Sequence, residues 1–153
     1  MNPTIQMVGL NHTTAPIQVR ERLVSAECTR DESPDRLYAQ LDPALFPERL
    51  ILSTCNRTEV YAVTLDRTRG ELALQDWFRA HEAFSPMQSD MLYAYTDRAA
   101  IAHLFAVASG LDSMIVGEFE ILGQVREAYR AAAEKKMIGA VFHQLFKDAI
   151  RVG

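Results

Sequence analysis

Cys55 is one of two cysteines in a 153-residue chain, and it lies in the stretch LSTCNRTEVY, residues 52–61. An apolar run, Leu50, Ile51 and Leu52, stops at two hydroxyl residues, and a second β-like run follows from Val60 to Val63. Cys55 therefore sits in a tight strand-to-strand connection, where a side chain is expected to be partly exposed. The thiolate is the nucleophilic form of cysteine, and a neighbouring cation lowers the thiol pKa. Arg57, two residues on, carries a permanent positive charge. Positions two apart in a strand share a face, so Cys55 and Arg57 are expected to point the same way. Free N–H groups in the turn can stabilise an oxyanion, and Arg57 can clamp a carboxylate through two parallel hydrogen bonds. The competing reading makes Cys55 a small apolar filler at the end of a buried strand.

A second cluster is SGLDSMIVGEFEILGQV, residues 109–125. Its glycine spacing matches neither a dinucleotide fingerprint nor a P-loop. Asp112 and Ser113 read as turn residues or caps, and Glu118 and Glu120 as first-turn residues of the next helix. His103 precedes this cluster, between Ala102 and Leu104. It reads either as a half-buried histidine with its hydrogen bonds satisfied or as a proton-transfer partner for a cysteine nucleophile. His12 falls in the first strand-to-helix loop, which the fold can bring near the Cys55 connection, whereas His81 and His143 read as surface residues.

Composition bounds the rest. Apolar residues make up 48% and charged residues 24%, ordinary values for a globular domain with one core. No apolar run approaches the roughly 18 residues of a membrane span, and the N-terminus lacks the basic and apolar regions of a signal peptide. The expected location is the cytoplasm. A disulfide between Cys28 and Cys55 is disfavoured there, and the two Asn-X-Thr sequons, at Asn11 and Asn56, read as chance matches. No His/Cys cluster has metal-ligand spacing, so no metal is expected. The net charge of −4 argues against a nucleic-acid grip over the whole surface. Arg126, Arg130, Lys135, Lys136, Lys147 and Arg151 form the one candidate basic face; a solvated helix face accounts for them equally.

The elements that must position these residues follow from periodicity. Strands are expected over 6–10, 48–53, 57–64 and 91–96. Helices are expected over 16–23, from Ser33-Pro34 with Leu37, Leu41 and Leu45 inward, and over 70–81 with Leu72, Trp77 and Phe78 inward. A further helix is capped by Asp97, carries Ile101, Leu104, Phe105 and Val107 inward, and ends near Ser109-Gly110. Two more span 120–135 and 138–151. The order β-α-β-β-α-β is that of a ferredoxin-like split βαβ sandwich, an α+β fold with helices on one face of an antiparallel sheet and additional C-terminal helices. The last helix bears an apolar stripe, Phe142, Leu145, Phe146, Ala149 and Ile150. That stripe either packs on this domain or marks a fragment of a longer protein, the latter being favoured.

The strings VGLNHTTAPIQVRERL, LSTCNRTEVY and ASGLDSMIVGEFEILGQV, in this order from residue 8 onward, resemble the N-terminal catalytic domain of glutamyl-tRNA reductase. That resemblance implies NADPH-dependent reduction of glutamyl-tRNA to glutamate-1-semialdehyde, the first step of five-carbon tetrapyrrole (porphyrin) biosynthesis. It implies Cys55 as the nucleophile that forms a thioester. Thr54, Cys55, Asn56 and Arg57 are implied to contact the glutamyl group, with Arg57 on its carboxylate. Ser113, Glu118, Phe119, Glu120 and Gln124 match a second substrate-binding segment. His103 matches a histidine important for activity, protonating the leaving ribose oxygen or orienting the site. Glu118-Phe119-Glu120 departs from the usual Glu-Pro-Gln or Glu-Ser-Gln, and a carboxylate at position 120 repels a glutamyl carboxylate and donates no hydrogen bond. The family's NADPH-binding and dimerisation domains are expected outside these residues, as is hand-over of the product to an aminomutase. The whole protein is expected to be a homodimer, and this chain alone a monomer that forms and hydrolyses the thioester. Two other readings remain: a non-catalytic anion-binding ferredoxin-like domain, and a redox sensor pairing Cys55 with Cys28.

Overall fold

The computed structural model describes residues 2–17, 34–80, 89–113 and 120–153. Four strands, β1 (Thr4–Asn11), β2 (Glu48–Ser53), β3 (Arg57–Thr64) and β4 (Tyr93–Thr96), form one sheet. Its order is β2-β3-β1-β4, and every neighbouring pair is antiparallel. The described helices are α1 (Pro34–Ala39), α2 (Arg67–Arg79), α3 (Arg98–Ala108), α4 (Glu120–Glu134) and α5 (Ala140–Val152). The expected helix over 16–23 lies almost wholly outside the described residues.

Helices cover both faces of the sheet, not one. On one side Gly70 of α2 sits against the side chains of Gln6 and Thr64, and Trp77 Nε1 donates to the Leu37 carbonyl at 3.1 Å, joining α2 to α1. On the other, Phe146 of α5 meets Tyr61 of β3 edge-on at 5.7 Å, and α3 and α4 flank it. All eight residues of β3 are buried as a result, the pattern of a strand covered on both sides. The α5 stripe belongs to this core: Phe142, Phe146 and Ala149 are each 0% exposed.

Local chemistry explains the departures from the expected elements. The α1 helix stops at Ala39 because Asp42 precedes Pro43, a position that disfavours helical backbone; Asp42 Oδ1 instead accepts from Ala44 N at 2.9 Å in a turn. Leu41 is still buried there. In α2, Gly70, Leu74, Trp77 and Phe78 face the core, whereas Leu72, two positions off that stripe, is exposed. Asp66, not a residue nearer Gly70, caps α2 by accepting from Arg69 N at 3.0 Å. Asp97 makes no side-chain cap on α3. Its Oδ1 accepts from Ile5 N at 2.9 Å, and its φ of 49° is a left-handed value that Asp tolerates better than most residues. The α3 stop is as expected, with Gly110 at φ 76° just past Ser109.

Two devices tie the edge strand β2 to the helices. Arg49 N donates to Met137 O at 3.0 Å and Ile51 N to Tyr38 Oη at 2.8 Å, which occupies N–H groups that an edge otherwise leaves open. Glu48 Oε1 accepts from Gly139 N at 2.7 Å and Phe142 N at 2.8 Å, placing a carboxylate at the N-terminus of α5.

Candidate functional site

The Cys55 turn is built by Thr54. Its Oγ1 accepts from both Asn56 N and Arg57 N at 3.2 Å, and its own N–H donates to Arg57 O at 2.8 Å. This hydroxyl-centred turn leaves Cys55 exposed with a free thiol. It also corrects one expectation: the Asn56 and Arg57 N–H groups are taken by Thr54 and are not free for an oxyanion.

Arg57 requires a second correction. Cys55 points to solvent, while the Arg57 side chain is 1% exposed and turns inward. Its Nη1 donates to Glu59 Oε2 at 3.3 Å and Asp112 Oδ2 at 3.0 Å, and its Nη2 to the Asp112 carbonyl at 2.6 Å. A strand that turns at Thr54 does not hold Cys55 in the β3 register, so the two-residue rule fails at the turn.

Glu59 is the hub beneath the turn. Alternation along β3 puts Arg57, Glu59 and Tyr61 on one face. Register places Glu59 opposite Gly9 of β1, and Gly9 opposite Tyr93 of β4. A Cβ on Gly9 would lie 2.7 Å from Glu59 Cγ and 2.9 Å from the Thr58 carbonyl, so only glycine lets the glutamate lie across β1. Tyr93 Oη donates to Glu59 Oε2 at 2.5 Å and Tyr61 Oη to Oε1 at 2.8 Å. His103 Nε2 of α3 lies 2.5 Å from Oε2, and the His103 ring is flanked by the rings of Tyr93 and Tyr95 at 5.4 and 5.0 Å. Gly9→Ala is therefore expected to destabilise the fold by about 1–3 kcal/mol through overpacking. A urea midpoint equal to that of the parent would show that Glu59 can move aside.

Burial alone would raise the Glu59 pKa. The hydrogen bond and charge of His103, the charge of Arg57 and the Tyr93 hydroxyl outweigh it and hold the carboxyl below its ordinary value. Burial likewise opposes the charge on Arg57, but Glu59 and Asp112 keep it cationic. Burial first, then the Glu59 charge, pushes Tyr61 and Tyr93 up, so both remain neutral donors. An ionised Glu59 only accepts hydrogen bonds, which assigns a proton to His103 Nε2.

Above this network the two sequence clusters meet. Thr54, Cys55, Asn56 and Arg57 line one cleft with Ser113, Glu120 and Gln124, and Ile121 forms its apolar floor. The enclosed space is about 20 Å³, room for one water, so a larger ligand lies against the cleft, not inside it. Glu118 and Phe119 fall outside the described residues, as do Cys28 and His81. His103 does not line the cleft; it reaches it through Glu59 and Arg57. Register pairs Asn11 with Arg57, which leaves His12 beside the turn. His143 is half-buried, with Nδ1 2.7 Å from Tyr129 Oη, and not a bare surface residue. No group of three or more metal-ligating side chains occurs among the described residues. Of the candidate basic face, Arg130 pairs with Glu127 and Glu134, and Arg151 with Asp148. The sequence reading did not single out Glu59 or Tyr93 and took Asp112 for a turn residue; the signal for Glu59 was a charge in the middle of a strand with no polar face.

Fold and cleft together define a mixed α+β domain that presents the exposed thiol of Cys55 above a buried arginine–glutamate–histidine network. A family model described as "Glutamyl-tRNAGlu reductase, N-terminal domain" matches residues 8–153. The chain belongs to the glutamyl-tRNA reductase family, as its N-terminal domain. Relatives named glutamyl-tRNA reductase include those of Pelotomaculum thermopropionicum, 45% identical over 97% of this chain and 33% of the relative, and Bacillus subtilis, 40% identical over 97% and 32%. The solved glutamyl-tRNA reductase of Methanopyrus kandleri superposes with a TM-score of 0.74 at 33% identity, covering 96% of this chain and 32% of that one. The chain thus spans about a third of the length of the relatives it matches.

Proposed function

We propose that this domain binds the glutamyl end of glutamyl-tRNA and forms a thioester on Cys55, as the first half of the reduction to glutamate-1-semialdehyde that opens tetrapyrrole biosynthesis. The observation that carries the reading is the meeting of residues 54–57 with Ser113, Glu120 and Gln124 around one exposed thiol. The Cys55 thiolate attacks the ester carbonyl, the C–S bond forms, and the bond to the ribose oxygen breaks. That oxygen leaves with a proton as free tRNA, so an ester that is hard to reduce becomes a thioester that is easier.

Arg57 receives the free side-chain carboxylate of the glutamyl group. Asp112 is the partner able to yield, since its side chain is 38% exposed while Glu59 is fully buried; swinging it outward releases one Nη1 hydrogen while the bond from Nη1 to Glu59 stays in place. His103 orients the site, because its Nε2 is committed to Glu59 and its ring lies outside the cleft. Glu120, exposed at the start of α4, can point to water and so avoid the glutamyl carboxylate. The residues here do not suit NADPH: the chain has no G-x-G-x-x-G, and the cleft is far too small for a dinucleotide. NADPH, the hydride donor, and the dimer contacts of a homodimeric, cytoplasmic enzyme are assigned to the remaining two-thirds of a longer protein, with an aminomutase receiving the aldehyde. The strand order, in which β3 separates β1 from β2, supports the ferredoxin-like reading of the sheet.

The test is to mix the protein with glutamyl-tRNA bearing labelled glutamate, quench in acid and map the label. The expected result is free tRNA together with glutamate on the Cys55 peptide, released by hydroxylamine. Label absent from Cys55 would overturn the reading, and a peroxide-induced bond to Cys28 would favour the redox alternative.

A further inference from the structure

Along the outer edge of β2 runs a pocket of about 250 Å³. Leu37, Ile51, Ala128 and Ala131 supply apolar wall, and Ser53, Gln124, Glu127 and Lys135 its polar groups. Gln124, Glu127, Ala128 and Ala131 recur at helical spacing and make one continuous stripe of α4. From Gln124 to Lys135 the stripe extends roughly 16 Å at 1.5 Å per residue. Gln124 lines this pocket and the Cys55 cleft alike, and Ser53 adjoins Thr54, so the two spaces are neighbours that share the Gln124 wall.

We propose that this pocket holds the terminal adenosine of the tRNA 3′ end. The inference rests on the thioester reading above and deepens it. The oxygen that Cys55 displaces belongs to the ribose of that nucleoside, so the base must lie next to the thiol. The volume falls just under the roughly 300 Å³ at which drug-sized sites begin, which suits one nucleoside and excludes a dinucleotide. Adenine offers an apolar face for Leu37, Ile51 and the two alanines. Its N6 amino group and N7 match a glutamine amide in bidentate fashion, and Gln124 stands at the junction. Reading a splayed base by its edges is how single-stranded RNA ends are recognised. Lys135, at the far end of the stripe, places an ammonium where the phosphate 5′ to that nucleoside runs. The Glu127 carboxylate, which would repel a phosphate, is held by Arg130 at 2.5 Å.

The experiment measures single-turnover deacylation of glutamyl-tRNA against tRNA concentration for the parent protein, Ala131→Trp, which fills the pocket, and Lys135→Glu, which reverses the charge at its end. Labelling of Cys55 by a small glutamyl α-ester is followed in parallel. Both variants are expected to raise the half-saturating tRNA concentration by about tenfold or more, about 1.4 kcal/mol, with small-ester labelling unchanged. Adenosine 5′-monophosphate should compete with glutamyl-tRNA in the parent and lose that effect in Ala131→Trp. Variants that saturate like the parent while the parent forms its thioester would overturn the subsite alone. A parent that labels with neither ester would instead overturn the thioester reading. If Ala131→Trp fails to fold by circular dichroism, Lys135→Glu and the competition by adenosine 5′-monophosphate decide the matter.

Discussion

Cys55→Ser should abolish covalent capture of glutamate and slow single-turnover deacylation of glutamyl-tRNA by at least about 10³-fold. Loss of an attacking side chain costs up to about 10⁶ in other acyl-transfer enzymes. A serine hydroxyl is un-ionised at neutral pH, and His103, whose Nε2 is turned to Glu59, is not placed to take its proton. The substitution separates chemistry from folding with little ambiguity. Cys55 is exposed at the tip of a turn held by Thr54, so the change in stability should stay within about 0.5 kcal/mol. Rapid-quench measurement of free tRNA supplies the rate, and urea unfolding the control. A variant deacylating within tenfold of the parent would remove Cys55 from the reaction.

The strands were legible because β3 is dense in β-branched and aromatic residues and β2 carries the short apolar run Leu50, Ile51 and Leu52, and the α3 stop because Ser109-Gly110 is a strong punctuation. Leu72 was misplaced inward because its type, not its position relative to Leu74 and Trp77, drove the assignment. The coverage of both faces was hidden in plain view: Glu59 and Arg57 interrupt the apolar run of β3, and charge in a strand suggests a wet face. Here the charges are buried and paired with each other, Arg57 also with Asp112, 55 positions on, and Glu59 also with His103. No local pattern encodes such a partner; it depends on where α3 and its following loop dock. For the same reason Arg57 looked like a free clamp beside the thiol. The thiol itself and its cleft residues were readable because they sit in two short strings whose meeting the hairpin and the start of α4 enforce.

That buried network also carries the largest expected change in stability. Glu59→Gln should destabilise the domain by about 3–5 kcal/mol, the range for removing one partner of a buried ion pair. Four donors converge on the two oxygens of Glu59: Arg57 Nη1, Tyr61 Oη, Tyr93 Oη and His103 Nε2. A glutamine has nearly the same shape but offers one oxygen and an NH2 group, which must face some of these donors. Arg57 would keep Asp112 as its sole carboxylate, and that one is partly hydrated. The pH dependence distinguishes lost charge from lost shape. The folded-state pKa of Glu59 lies below its ordinary 4.5, so its contribution is complete above that value and is lost as pH falls through the folded pKa. The gap between parent and variant should therefore be widest near neutrality and narrow progressively below about pH 4.5, where the parent's carboxyl takes up a proton and the variant has none to bind. Urea midpoints across this range read it directly, the remaining carboxylates titrating alike in both proteins. A gap that stays constant down to pH 2 would show that Glu59 acts by packing, and that the charge linking Arg57 to His103 contributes nothing to the fold.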